Sequence, residues 1–467
     1  MSDTFRTQLA ISTGRAARRA LKLIDPDRGT NLPGRLALGV DPSALRAMLR
    51  RIDGRVAYVS GTNGKTTTAS LITACLRGDG TNPISNTAGA NLTTGLASAL
   101  LTAGDAIDAA LEADEAALLK IVEARPPEAL VLLNLSRDQL DRYGEIDALM
   151  TKWREMLDGL GPSTRLILNA DDPRVAALGW IKSPDAPPRT AVRFFGLEVE
   201  DPAPQRPPSD ASWCPFCEEP LEYGRTLSIG GGDYRCTGCG WARPDPDYRL
   251  IKAKSAGFDG FELAVETPNG MDTFSLRLPG LHNAANALAA CAAASELGVS
   301  LSTVAKALAE SRTAYGRAEP IELDGRAVRL LLSKNPAALT GSLLMVAESE
   351  RLASRTSELP PVLFGLNDKT ADGRDVSWIW DVDFAGIIGA GHPFVASGTR
   401  ASSVALRLKY DGWPTDSVEV EKDLYPALRA AVARTPRGSA MSALLTYTAM
   451  RELRAELVKR QLAPRIH

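Results

Sequence analysis

The segment that most constrains this chain is Ser60-Gly61-Thr62-Asn63-Gly64-Lys65-Thr66-Thr67-Thr68. It follows a short apolar run, Val56 to Ser60, that reads as a strand, and it opens a Thr- and Ala-rich stretch that reads as a helix. Strand, glycine loop and helix in that order make a nucleotide-phosphate loop. Glycines let backbone N–H groups approach phosphate oxygens, and the positive end of the helix dipole favours the negative charge. Gly61, Thr62, Asn63, Gly64, Lys65, Thr66 and Thr67 are therefore the candidate ATP contacts. Lys65 can reach the terminal phosphates and the Thr66 hydroxyl can ligate Mg²⁺. The spacing is Gly-x-x-Gly-Lys-Thr, shorter than the common phosphate loop, because position 59 is Val.

Such a loop belongs in a parallel sheet, and the chain has the matching rhythm. Strand candidates at Ala106 to Leu111, Ala129 to Leu133, Leu166 to Leu168 and Val192 to Phe195 alternate with helical patterns. That alternation marks a doubly wound α/β fold. It breaks near residue 200, where residues 201–210 hold four prolines and read as a linker into an inserted module at about 205–248. Strand-like alternation returns at Phe261 to Val265 and Phe274 to Leu278, and a helix is expected from Asn283 to Leu297. After Arg317 a smaller set begins, with strands expected at Val362 to Leu366, Gly386 to Ile388, Ala405 to Lys409 and Ala443 to Thr446. The resulting division is a lead-in (1–54), a central ATP-binding domain (55–318) carrying the insertion, and a Rossmann-like α/β C-terminal domain (319–467). More than one core is expected at 467 residues. A formal charge of −2 gives no bulk pull toward nucleic acid or anionic lipid. The basic opening stretch (Arg6, Arg15, Arg18, Arg19, Lys22) lacks the apolar run of a secretory signal, so the cytoplasm is the expected location.

Cys214-x-x-Cys217 and Cys236-x-x-Cys239 stand 18 residues apart inside the insertion. Two such knuckles joined by a β-ribbon form a tetrahedral thiolate site for Zn²⁺. Four thiolates leave no coordination position for water, which makes the expected role structural. Cys75 and Cys291 lie in apolar helical surroundings and read as packing residues.

The phosphate loop resembles that of the Mur ligase superfamily, which includes the folylpolyglutamate synthetases, and further segments match in the family's order. Leu111-Glu112-Ala113-Asp114-Glu115 falls where the family has a Mg²⁺-binding glutamate, which maps to Glu112. Asn134-Leu135-Ser136-Arg137-Asp138-Gln139-Leu140-Asp141 resembles its Asn-x-x-x-Asp-His-x-Asp block, with Gln139 replacing a histidine that ligates a second Mg²⁺. Asn169 to Pro173 and Gly280 to Asn286 resemble two nucleotide-contacting segments, which nominates Asn169, Asn283 and Asn286. Gly316-Arg317 resembles the arginine at the junction with the C-terminal domain. The segment that usually carries a ribose-contacting aspartate has no acid here, although its Lys334 can face the phosphates. Lys152 falls near a lysine that many family members carbamylate, and it reads equally as a helix-surface lysine. The resemblance implies an acid joined to an amine through an acyl phosphate made from ATP. Such a site must neutralise phosphate and carboxylate charge together, so a lysine, Mg²⁺ and a metal-binding glutamate are its expected parts.

Three departures narrow the resemblance: the missing large N-terminal domain, the four-cysteine insertion, and the Asp138-Gln139-Leu140-Asp141-Arg142-Tyr143-Gly144 block. Together with Phe364 to Asp368 and Asp372 to Phe384 they resemble the MurT family, ligase subunits of lipid II isoglutaminyl synthase. That resemblance implies amidation of the D-glutamate α-carboxylate of lipid II to D-isoglutamine at the inner face of the membrane. It also implies a GatD-like class I glutaminase as partner, with Asp375 and Asp381 both candidates to serve the partner's Cys–His pair. The catalytic candidates are thus Lys65, Glu112, Asp375 and Asp381. A glutaminase needs a cysteine on a Gly-x-Cys-x-Gly turn, and no such turn occurs here. Of the three histidines, His282 is expected near the nucleotide and His392 in a loop. The alternative is a stand-alone amino-acid ligase of the folylpolyglutamate synthetase kind. A nucleic-acid-binding ribbon is disfavoured, because Glu218, Glu219, Glu222 and Asp233 offset Arg225, Arg235 and Arg243.

Overall fold

The computed structural model describes residues 2–24, 31–86, 91–101, 107–136, 146–181, 183–199, 211–228, 231–311, 317–353 and 359–464. Three helices lead in: α1 (Ser2–Ile24), α2 (Leu32–Val40) and α3 (Ala44–Leu49). Strand β1 (Val56–Ser60) then delivers the phosphate loop to helix α4 (Lys65–Gly78). Next come β2 (Ile84–Ser85), β3 (Ala109–Glu112), β4 (Ala129–Leu132), β5 (Arg165–Asn169) and β6 (Val192–Leu197), with helices between most of them. Strands β7 (Leu221–Ser228) and β8 (Gly231–Cys236) form a separate two-stranded ribbon, and β9 (Tyr248–Ser255), β10 (Phe261–Thr267) and β11 (Gly270–Leu276) return to the main sheet.

That sheet has nine strands in the order β11-β10-β9-β6-β5-β4-β1-β3-β2. Pairing is parallel from β2 to β9 and antiparallel only along β9-β10-β11. Every residue of β1, β3 and β4 is buried, as a parallel sheet covered on both faces requires. One face packs against α1, α2 and α3 through Ile11, Ala37, Leu45 and Leu49. The lead-in is thus part of this domain's core. The other face packs against α4 and the Ala-rich helix Leu281–Glu296, whose alanines let it approach closely.

The second sheet comprises β12 (Arg317–Leu323), β13 (Arg326–Leu332), β14 (Val362–Gly365), β15 (Phe394–Ser397), β16 (Val418–Val420) and β17 (Ala440–Leu445). Its order is β12-β13-β17-β14-β15-β16, parallel except at the β12/β13 hairpin. Two expected strands here are helices. The Ala405 to Lys409 segment lies in helix Ala401–Tyr410, whose buried residues Ala401, Val404, Arg407 and Leu408 recur every three or four positions. A strand would put Leu406 and Leu408 on the same face, yet Leu406 is half exposed and Leu408 is buried. Gly386 to Ile388 belongs to helix Phe384–Ile388, which the Asp383 carboxylate caps by accepting from Gly386 N at 2.9 Å. The strand that fills this part of the sheet is β15, entered through Pro393.

Candidate active site

The carboxyl ends of β1, β3 and β4 converge on the phosphate loop, the edge at which parallel sheets bind ligands. Gly61 (φ +137°) and Gly64 (φ +89°) adopt conformations that side chains resist. A Cβ on Gly64 would also lie 2.2 Å from Asn286 Oδ1. Gly64 immediately precedes the first turn of α4, so the backbone N–H groups of that turn lie at the loop. The loop is splinted by Asn134. Its Oδ1 accepts from Asn63 N at 2.8 Å, its Nδ2 donates to Asn63 O at 3.0 Å, and its carbonyl accepts from Thr62 N at 2.9 Å. Thr62 Oγ1 and Ser136 close a second exchange, with Ser136 N donating to Thr62 Oγ1 at 3.0 Å.

Lys65 curls over this loop. Its Nζ donates to the Gly61 carbonyl and to Thr62 O, and it pairs with Glu115 Oε1 at 3.2 Å. Both members of the pair are about nine-tenths buried, so the attraction is only weakly screened. Glu112 ends β3 opposite Val59 of β1 and is 1% exposed. Asn86 brackets its backbone, donating to Glu112 O at 2.8 Å and accepting from Glu112 N at 2.9 Å. Trp153 Nε1 donates to Glu115 O, which fixes the start of the following helix. A lysine and two buried carboxylates thus gather at one strand edge. With Thr66 on α4, Glu112 is in the region where Mg²⁺ would accompany bound phosphates.

The other nominated residues divide. Asn283 and Asn286 are buried at the start of helix Leu281–Glu296 and joined to each other, with Asn286 against Gly64. Asn169 ties β5 to β4 by donating to Leu133 O at 2.8 Å. Lys334 follows β13, and its neighbour Asn335 reaches the loop directly, donating from Nδ2 to Asn63 Oδ1 at 3.1 Å. Arg317 starts β12, but its side chain lies outside the described residues, as does the whole of Gln139. Lys152 is exposed on helix Ile146–Asp158, whose buried face is Met150, Trp153 and Leu157, so it lies on the solvent side. His282 opens helix Leu281–Glu296. His392 is in a loop yet buried, with Nε2 2.9 Å from Glu350 Oε1.

Asp375 and Asp381 are both exposed; Asp375 precedes the 3₁₀ turn Ser377–Asp381 beyond β14, and Asp381 is its last residue. No hydrogen bond joins either to the phosphate loop among the described residues. Asp375 accepts from Ser377 N at 2.8 Å, and that bond holds its carboxyl below the usual range. Sequence reasoning missed Glu115, Asn335 and Asp172. Glu115 was visible as the third acid of Glu112-Ala113-Asp114-Glu115, but only the register of β1 on β3 shows which acid meets Lys65.

The four cysteine sulfurs lie within 4.8 Å of one another. Cys214 and Cys239 are 3.8 Å apart, close to the ~3.8 Å edge of a tetrahedron with ~2.3 Å Zn–S bonds. Burial opposes a thiolate at Cys236. Donation from Cys239 N and Gly238 N and from the Cys217 thiol outweighs it and brings the group down to about 7. The donor set therefore fits a structural metal ion. Burial pushes the Cys75 and Cys291 thiols up to about 12, which leaves them inert as nucleophiles.

The ribbon docks on the sheet through Trp180, Phe216, Tyr234 and Trp241, whose rings contact one another at 5.0–6.4 Å between centroids. It also grips the loop after β5. Tyr234 OH donates to Ala170 O at 3.0 Å, Gly232 N to Asp171 O at 3.0 Å, and Arg243 pairs with the buried Asp171 at 2.8 Å. Asp172 in turn accepts from Leu135 N at 2.8 Å, beside the Asn134 splint.

Comparison with known proteins agrees with this geometry. Residues 59–198 match the Mur ligase middle domain and residues 332–450 the MurT ligase C-terminal domain. The chain is 32% identical over 466 residues to the lipid II isoglutaminyl synthase (glutamine-hydrolyzing) subunit MurT of Streptococcus pneumoniae, covering 98% of each chain. It is 31% identical to the Staphylococcus aureus subunit, covering 90% of this chain and 92% of that one. The MurF ligase of Thermotoga maritima, solved in complex with ADP, superposes with a TM-score of 0.64 over 91% of this chain and 84% of that one. At 15% identity that likeness speaks for the fold alone. A Mur-type phosphate loop, a docked four-cysteine ribbon and identity along the full length lead to one conclusion: the chain belongs to the MurT family and is a ligase.

Proposed function

We propose that this protein amidates the D-glutamate α-carboxylate of lipid II, giving D-isoglutamine, with ATP as the activating substrate and ammonia from a GatD-like glutaminase subunit. The observation that supports it most is the cluster of Lys65, Glu112 and Glu115 around a splinted phosphate loop. The names of the relatives supply the substrate class: both are subunits of an enzyme that acts on lipid II and hydrolyses glutamine.

The chemistry runs in two displacements. A carboxylate oxygen of the acceptor attacks the γ-phosphorus of ATP, ADP leaves, and an acyl phosphate results. Ammonia then attacks the acyl carbon, phosphate leaves, and the nitrogen loses a proton to give the amide. Lys65 neutralises charge on the transferring phosphoryl group, while Glu115 holds the lysine at the loop. Thr66 and Glu112 would hold Mg²⁺, which would supply further positive charge there. Asn63, Asn134 and Asn286 keep the loop backbone open to phosphate. Ammonia has to be made elsewhere, because Cys75 and Cys291 are buried and the other four cysteines form the ribbon cluster.

The test is amidation of lipid II by the purified chain, alone and with its co-expressed glutaminase. Ammonium should support ADP and amide formation by the chain alone, whereas glutamine should do so only with the partner. Failure to form either ADP or amide from ammonium, ATP and lipid II would refute the proposal.

A further inference from the structure

Helix α1 docks on the body through one side. Ala10, Ile11 and Gly14 are buried, and a Cβ on Gly14 would meet Leu101 at 2.5 Å. Arg6 Nε donates to Val40 O at 2.8 Å and Arg15 Nε to Leu101 O at 3.3 Å, so the helix is anchored at two places. On a surface helix the opposite side is normally polar. Here it carries Phe5, 71% exposed, and Leu9, 49% exposed, one turn apart and in line with exposed Ala16. The neighbouring α2 repeats the arrangement, with Leu32 and Leu36 each 42% exposed and one turn apart.

The segment that carries this apolar face is basic in composition. Residues 1–51 contain ten Arg and Lys against four Asp, a net of +6, while the whole chain is −2, which leaves −8 for residues 52–467. Arg15, Arg19, Arg35 and Arg46 are exposed. Asp41, the one acid among the described side chains of this segment, is buried and held by the Thr7 and Ser43 hydroxyls. Large exposed apolar side chains on a segment with exposed guanidinium groups match an anionic lipid surface. The apolar groups enter the acyl boundary and the cations meet lipid phosphates.

We infer that α1 and α2 form a docking face for anionic phospholipid membrane. The inference deepens the function proposed above, since none of the described helices is long and apolar enough to cross a membrane, and a lipid-linked acceptor has to be met at the bilayer. The test is flotation of the full chain with vesicles of phosphatidylglycerol and phosphatidylcholine, against vesicles of phosphatidylcholine alone. Binding should require phosphatidylglycerol and weaken in high salt. The Phe5→Glu/Leu9→Glu double variant should bind at least ~tenfold more weakly, and Arg35→Gln/Arg46→Gln should lose affinity with an unchanged melting temperature. The Phe5/Leu9 variant should amidate lipid II in detergent micelles at the wild-type rate and lose turnover only on vesicle-embedded lipid II. That detergent assay reads the proposed function independently of the membrane. No flotation with anionic vesicles, equal flotation of the Phe5/Leu9 variant, or a wild-type dimer abolished by the same variant without flotation would each overturn the inference.

Discussion

Lys65 is held in place by partners that a bound nucleotide would have to share. Replacing it with Ala removes the cation at the phosphates, and ATP-dependent amidation should fall by about 100-fold or more while the far-UV spectrum is kept. Glu115→Gln leaves that cation but loosens it. The expected result is a KM for ATP raised about three- to tenfold, with kcat less affected. Asp171 supplies a pH signature. Burial pushes its carboxyl up to about 6 although Arg243 and the Leu197 N–H oppose the shift. Arg243 is also shared with Glu198 and Asp233, so protonating Asp171 does not strand it. An acid whose pKa is raised on folding contributes stability below its unfolded value, and that contribution disappears as pH rises through about 6. Urea denaturation should therefore show wild type losing on the order of 3 kcal/mol relative to Asp171→Asn between pH 4 and pH 7. None of this pairing was readable from residue types alone. The nominated glutamate came from a motif, whereas the Lys65 and Asp171 partners come from residues 50 and 72 positions away.

At the scale of elements, the phosphate loop and the ribbon were readable because each depends on short-range spacing. Glycines flanking a turn and cysteines in pairs specify local geometry whatever surrounds them. The helix Ala401–Tyr410 was misread because an alternating Ala-Leu-Arg-Leu-Lys run fits a strand locally, and packing decided the matter. Loop rigidity predicts that Gly64→Ala will be costly. Positive φ contributes about 1–2 kcal/mol of strain, and the new methyl displaces Asn286, so ADP affinity measured by calorimetry should drop more than ~tenfold. For the ribbon, Cys214→Ser should lower zinc content and reduce the melting temperature by at least ~5 °C. Because the ribbon grips residues 170–171 and Asp172 holds Leu135 beside the Asn134 splint, that variant should also bind ADP less tightly. Unchanged ADP affinity in a zinc-depleted variant would show that the ribbon acts on stability alone.

The described residues build two large sheets beside the two-stranded ribbon, and no local pattern discloses the strand order of the large ones. Alternating strands and helices announced parallel α/β architecture, but register and neighbour relations are set by long-range packing. The Asn335–Asn63 hydrogen bond is one such relation, carrying the C-terminal domain onto the phosphate loop across 272 residues. Asn335→Ala should raise the KM for ATP a few-fold and leave thermal stability of both domains intact, a difference that paired kinetics and calorimetry will resolve. The placing of β17 between β13 and β14 reaches into biosynthesis. Although it is the last strand of its sheet to be synthesised, it fills a central slot, so a nascent chain that has exposed β13 to β16 still has an unzipped gap with two bare strand edges. The C-terminal half must wait, vulnerable to mispairing, until residues 440–445 arrive. Chains stalled or truncated before that point should be captured by chaperones or degraded, while the nucleotide-binding half is already folded.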